Sequence, residues 1–216
     1  MVVADFGAPA SRETMRRYLY KKLREYLDLY VRPDDRIVQI VAEGTRDDLT
    51  FDKQLVLRPT EPKGCAEIAA FGADYVLLNG NIHYERDIQT FLEGLRETLA
   101  PTTRVIITFY SNLWKPLLRL ATVLGLRSKT PEENWIAPED LRNLLLLAGY
   151  ELVREESKLL SPVYIPVLSY LANRFLAPLP GFRSFNLINI AMARPLGREK
   201  ADASLSVSVI VSISHC

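Results

Sequence analysis

Cysteine is scarce in this chain: Cys65 and Cys216 are the only two, and they lie far apart. Two thiols so placed make no disulfide framework, and no CxxC or Cys/His cluster suggests a metal. An excess of either charge is also missing. Lys and Arg number 27 against 26 Asp and Glu, a formal net charge of +1. With no basic surplus to neutralise phosphates, the electrostatic ground for nucleic-acid binding is gone. No uncharged apolar run reaches the roughly 18 residues that suggest a membrane-spanning helix. The opening, MVVADFGAPASRETMRR, lacks the basic start and long apolar core of a secretory signal. Together these absences lead us to expect a reducing, cytoplasmic setting.

What the chain does have is apolar substance. Of its 216 residues 48% are hydrophobic, enough to build the core of one domain of ordinary size. Ser11 is placed to cap a helix starting near Arg12, with Tyr18, Leu19, Leu23, Tyr26 and Leu27 following at helical spacing. RIVQIV (36–41), KQLVL (53–57), DYVLL (74–78), RVIITFY (104–110), 150–156 and 186–194 read as strands. Ile88, Phe91, Leu92, Leu95 and Leu99 mark an amphipathic helix. Residues 114–124 read as a second helix, and Pro138 opens a third that stops at Gly149. Strands alternating with helices predict an α/β domain with a largely parallel sheet. The segment Leu159–Pro180 is apolar and broken by prolines. Tyr164, Leu168, Leu171 and Phe175 fall there at roughly helical spacing.

From Ala73 onward the order of signals resembles bacterial class I S-adenosylmethionine-dependent methyltransferases. The resemblance rests on DYVLL with its loop, the helix ending LRETLAP, the strand RVIITFY, and NWIAPEDLRNLLLLAGYELV. SNLWKPLLRLATVLGLR and the closing ARPL resemble members of that family found beside family-two glycosyltransferases. The resemblance covers about Ser11 to Leu196. It implies a Rossmann-like sheet, mostly parallel with an antiparallel last strand. Residues 1–196 would form this domain. Residues 197–216 would form a linker and a truncated strand (LSVSVIV) similar to the start of a glycosyltransferase. About 30 residues separate RIVQIV from DYVLL, too few for two further strand–helix units, so one unit is expected to be missing.

The resemblance also implies a cofactor, S-adenosylmethionine, at the carboxyl ends of the central strands. In the family a glycine-rich loop follows the first strand, because the backbone must approach the ligand closely there. Here that stretch reads VQIVAEGTRDDL. Gln39 stands in the place of the first acid, Val41 and Glu43 occupy the glycine-rich stretch, and only Gly44 is a glycine. Arg58, not an acid, follows KQLVL, with Glu61 three residues beyond. The implied cofactor-binding set is therefore Gln39, Val41, Glu43, Gly44, Asn79, Gly80 and Asn81.

His83 is the candidate general base, since imidazole titrates near neutrality. The alternative is that His83 and Tyr84 only pack and cap the next helix. Tyr84, Tyr110, Asn112 and Trp114 are the expected acceptor-side residues, with Trp135 nearby. Packing of the tryptophans against the sheet is the plainer alternative. The acceptor would be a small molecule or a glycan, and the Leu159–Pro180 segment is either a packing helix, a lid, or a surface that rests on a membrane. Three functional readings stay open: a methyltransferase, an inactive scaffold that docks a glycosyltransferase partner, or a plain binding domain that takes a sugar or nucleotide near Asn79 to Tyr84.

Overall fold

A computed structural model of the chain describes residues 9–42, 48–58, 64–116, 123, 134–161 and 167–197. Six short strands form one sheet: β1 (Ile37–Ile40), β2 (Gln54–Leu57), β3 (Tyr75–Asn79), β4 (Arg104–Tyr110), β5 (Tyr150–Lys158) and β6 (Ile188–Pro195). Their spatial order is β2-β1-β3-β4-β6-β5. β1 pairs in parallel with β2 and β3, and β3 with β4. β6 lies antiparallel to both β4 and β5 and fills the space between them. Parallel strands covered on both faces need apolar residues on both. That is why β1 and β4 read as unbroken apolar runs: every residue of β1 is buried, and every residue of β4 after Arg104.

Helices cover the two faces. α2 (Gly64–Phe71), α3 (Ile88–Thr98) and α4 (Pro138–Leu147) lie on one. Their Ile68, Leu92, Leu95, Leu141 and Leu145 pack with Val38, Val76, Val105 and Ile107 of the sheet. On the other face α1 (Pro9–Leu27) sets Leu19, Leu23 and Leu27 against Ile37, Leu77, Ile106 and Ile190. Spacings of four place these leucines on one stripe of the helix. α3 begins where the Asp87 carboxylate accepts the Thr90 backbone N–H at 2.9 Å, an N-cap. α4 has Pro138 in its first turn and ends at Gly149, whose φ of 78° suits a residue without Cβ. No described helix is long and apolar enough to cross a membrane.

Between β1 and β3 the described chain holds one strand and one helix, β2 and α2. The sheet is thus one strand–helix unit short, as its length requires. Other expectations need correction. Ser11 does not cap α1: the helix already runs from Pro9, so Ser11 lies inside it. α2 went unforeseen, because its eight residues, GCAEIAAF, are too few to show a period. The helix expected over 114–124 is preceded by a 3₁₀ turn, Asn112–Trp114; Lys115, Pro116 and Val123 are helical as expected, and 117–122 and 124 lie outside the described residues. The segment after Leu159 is neither one packed helix nor a simple crossover. It comprises α5 (Leu168–Leu171), a π-helical turn at Ala172–Leu176, and α6 (Pro180–Arg183). Tyr164 and the 198–216 tail lie outside the described residues.

Candidate functional site

The chain leaves β1 toward β2 on one side and leaves β3 toward β4 on the other. That divergence is a topological switch point, and ligands of open α/β sheets bind in the crevice beyond it, at the carboxyl ends of the strands. Gln39, Asn79, Asn81 and Asn112 all lie at or just past those ends, on β1, β3 and β4.

On β1, Gln39 alternates with Ile37, so it faces α1. It is buried, and its Oε1 has no hydrogen-bond partner. Val41 continues as extended chain with no positive φ, and its N–H donates to the Leu57 carbonyl at 2.9 Å. Its amide thus joins β1 to β2 and is not available to a ligand. Glu43, Gly44 and Glu61 lie outside the described residues. Arg58, after β2, is exposed.

The β3 end is better defined. The Asn79 Oδ1 accepts the Thr108 hydroxyl at 2.7 Å, across the β3–β4 pairing. Gly80 adopts φ 77° and donates its N–H to the Thr108 carbonyl at 2.9 Å, so the turn needs a residue free to take a left-handed conformation. A 3₁₀ turn, Asn81–His83, follows. Asn81 is fully buried, yet neither its Oδ1 nor its Nδ2 has a partner. A buried amide without hydrogen bonds costs on the order of 1–3 kcal/mol, and such a group inside a folded protein requires an explanation.

His83 closes the 3₁₀ turn after β3. It is buried, and both ring nitrogens are engaged by backbone. The Tyr110 N–H lies 3.0 Å from Nε2, and an N–H can only donate, so Nε2 is the acceptor. The proton then sits on Nδ1, which donates to the Asn134 carbonyl at 2.7 Å. Held between those two groups, the ring also stacks on Tyr110 with centroids 5.4 Å apart and meets Trp135 at 5.7 Å. With the only basic lone pair already bonded to Tyr110, His83 positions the loop after β3 against the end of β4.

Asn134 is the partner that sequence reasoning missed. Its N–H donates to the His83 carbonyl at 3.2 Å, and its side-chain amide donates to the Glu85 carbonyl. Nothing local in the sequence marks it, because its partners are some fifty positions upstream. Burial pushes the neighbouring Glu85 carboxyl above its ordinary range.

Beyond β4, Tyr110 is buried, Tyr84 half-buried, and the Asn112 Oδ1 buried without a partner. Trp114 donates its Nε1–H to the Phe185 carbonyl at 2.8 Å. Both tryptophans are partly buried and pack against the α1-side core. Asp48 is ion-paired to Arg16 at 2.6 Å, and Asp47 lies outside the described residues. Among the described residues no group of three or more His, Cys, Asp or Glu side chains is placed to hold a metal ion.

The same arrangement of strands and helices recurs in solved structures. A SAM-dependent methyltransferase from Thermotoga maritima superposes with a TM-score of 0.51 at 11% identity, over 84% of this chain and 91% of that one. A chain from the Haloferax volcanii complex between the Trm112 methyltransferase activator and a methyltransferase gives 0.50 at 11% identity, over 87% and 94%. No protein-family model matches the sequence, and no curated protein matches it significantly. The chain has the class I S-adenosylmethionine-dependent methyltransferase fold. At this level of identity, the likeness speaks to fold, and what the site does must be argued from its own residues.

Proposed function

We propose that this domain is a methyltransferase that holds S-adenosylmethionine with buried amide side chains instead of a glycine-rich loop. One observation carries the reading. Gln39, Asn81 and Asn112, one for each of three neighbouring parallel strands, all bury an amide atom without a partner at the carboxyl ends. Amides present both donors and acceptors, which suits the ribose hydroxyls and amino-acid group of the cofactor. That test of fit favours the β3 and β4 side of the crevice. On the β1 side the Val41 amide is already committed.

The cofactor, when bound, supplies an electrophilic methyl group. The chain's own residues do the rest. Gln39 and Asn81 hold the ligand. The His83–Tyr110 link keeps the two loops at a fixed separation, and Asn112 with the half-buried Tyr84 orients an acceptor. Alignment of two reactants is by itself a large part of catalysis. With His83 engaged on both sides, a small-molecule or glycan acceptor would need to bring its own nucleophilic lone pair, or find a base elsewhere. An amine or a carboxylate suits this site better than a sugar hydroxyl.

The second reading is an inactive scaffold, docking a glycosyltransferase as the sequence resemblance implies. It is favoured by the spent Val41 amide and by Arg58 where the family has an acid. Calorimetric titration of S-adenosylmethionine and S-adenosylhomocysteine separates the two. Saturable binding at micromolar concentration, about −8 kcal/mol, that is lost in Asn81→Leu supports the first. No heat from a folded sample at millimolar ligand leaves the scaffold.

A further inference from the structure

The segment from Val167 to Phe185 is built inside out. Ser169, Asn173 and Ala177, spaced by four, turn toward the protein: Ser169 and Ala177 are buried, and Asn173 clips the segment down. The Asn173 side chain donates to the Tyr18 hydroxyl and the Ser161 carbonyl, both at 3.0 Å, and accepts the Ser161 N–H at 2.8 Å. The apolar side chains point the other way. Among the described residues, nine of the sixteen exposed large hydrophobic side chains fall within these nineteen positions, Leu168, Leu171, Phe175 and Phe182 among them. Monomeric proteins rarely leave so much contiguous apolar surface in water. Val167 sits at φ 64°, a conformation that a β-branched residue avoids, and Ala172–Leu176 form a π-helical turn. Both are costly local choices of the kind kept at functional positions.

Beneath the segment lies a cavity of about 470 Å³ between α1 and the end of β5. Lys22, Lys158 and Arg174 line it, with Tyr26 and Tyr170, against one carboxylate, Glu25. Glu25 is already paired to Lys22 at 2.5 Å, and Lys158 to Glu156 at 3.0 Å. Arg174 has no ion pair among the described residues. Lys158 aligns with Ile188, and Ile188 with Tyr110, so the cavity opens on the same rim of the sheet as the amide crevice.

An outward apolar face beside a cationic cavity matches one surface chemistry in particular, an anionic lipid leaflet. We infer that the Val167–Phe185 segment seats on such a membrane, with Leu168, Leu171 and Phe175 among the acyl chains and a headgroup phosphate held by Arg174, Lys158 and Lys22. The inference is independent of cofactor binding, and its readout is separate from calorimetry.

Flotation of the full chain with vesicles tests it. Vesicles of phosphatidylcholine with about one quarter phosphatidylglycerol should bind at least tenfold tighter than pure phosphatidylcholine. Arg174→Glu should erase that preference, and Leu171→Ser with Phe175→Ser should abolish binding to both. Circular dichroism must show each variant folded. If a variant fails to fold, loss of wild-type binding to the anionic vesicles in high salt replaces its charge arm, and brominated acyl chains quenching the fluorescence of the intact protein replace its apolar arm. Absent or equal binding by the wild-type protein overturns the inference. So does sedimentation showing that the same face closes a dimer of this chain, broken by Phe175→Ser.

Discussion

The His83 imidazole accepts the backbone N–H of Tyr110 at 3.0 Å, and this one bond joins the loop after β3 to the end of β4. It competes with any catalytic use of that nitrogen. Replacing His83 by Ala leaves the Tyr110 N–H and the Asn134 carbonyl unpaired, at about 3 kcal/mol together. For a chain of this size, that lowers the melting temperature by roughly 6–12 °C, measurable by differential scanning calorimetry. A general base would behave differently, with stability kept and turnover lost.

Asn81 should show the opposite pattern. Its amide is buried with no partner, so Asn81→Leu, which keeps the number and branching of side-chain heavy atoms, removes a desolvation cost. The variant is expected to melt no lower than the parent, and up to about 1–2 kcal/mol more stable. Affinity for S-adenosylhomocysteine should fall at least tenfold, or about 1.4 kcal/mol. Thermal melts with and without ligand check both halves.

Tyr30 and Glu156 set a pH dependence. The Tyr30 hydroxyl donates to Glu156 at 2.6 Å, clamping the chain after α1 to the edge strand β5. Burial alone would raise the Glu156 carboxyl. Hydrogen bonds from Tyr30, Lys158 and Arg154 outweigh it and hold the group down at about 2. The same clamp keeps Tyr30 protonated, since burial and then that hydrogen bond raise it. Because the folded value of Glu156 lies below its ordinary 4.5, its contribution is complete above that pH and disappears as pH falls toward 2. The urea midpoint should therefore drop between pH 5 and pH 2 (about one pH-dependent proton). Glu156→Gln should flatten the part of that fall due to this group.

Gly149 ends α4 with φ 78°, and a Cβ there would run into the Arg96 guanidinium. Gly149→Ala should cost about 1–2 kcal/mol from the left-handed backbone alone. Pairing it with Arg96→Ala should recover only the steric share. A double-mutant cycle in urea separates the two.

The strands were legible because they are buried on both faces, so RVIITFY and RIVQIV carry a signal that depends on no partner. The missing strand–helix unit was legible as chain length. α2 was not, because GCAEIAAF is too short to show a face. The candidate residues on β1, β3 and β4 could be placed at the right end of the sheet, but their tasks could not. Whether a nitrogen is free depends on distant groups: Tyr110 lies 27 positions from His83, and Asn134 51. Nor could periodicity tell which way Leu168, Leu171 and Phe175 face, since an outward apolar stripe and an inward one repeat identically.

β6 has a consequence for how the protein is made. It enters between β4 and β5, and among the described strands β5 has no other neighbour in the sheet. On the ribosome, β5 must wait for a strand that has not yet been translated, and β4 meanwhile offers a bare edge. Unpaired edges invite association with other chains. A nascent chain stalled before Ile188 would thus be a substrate for chaperones, and release past Pro195 is the moment at which the sheet closes.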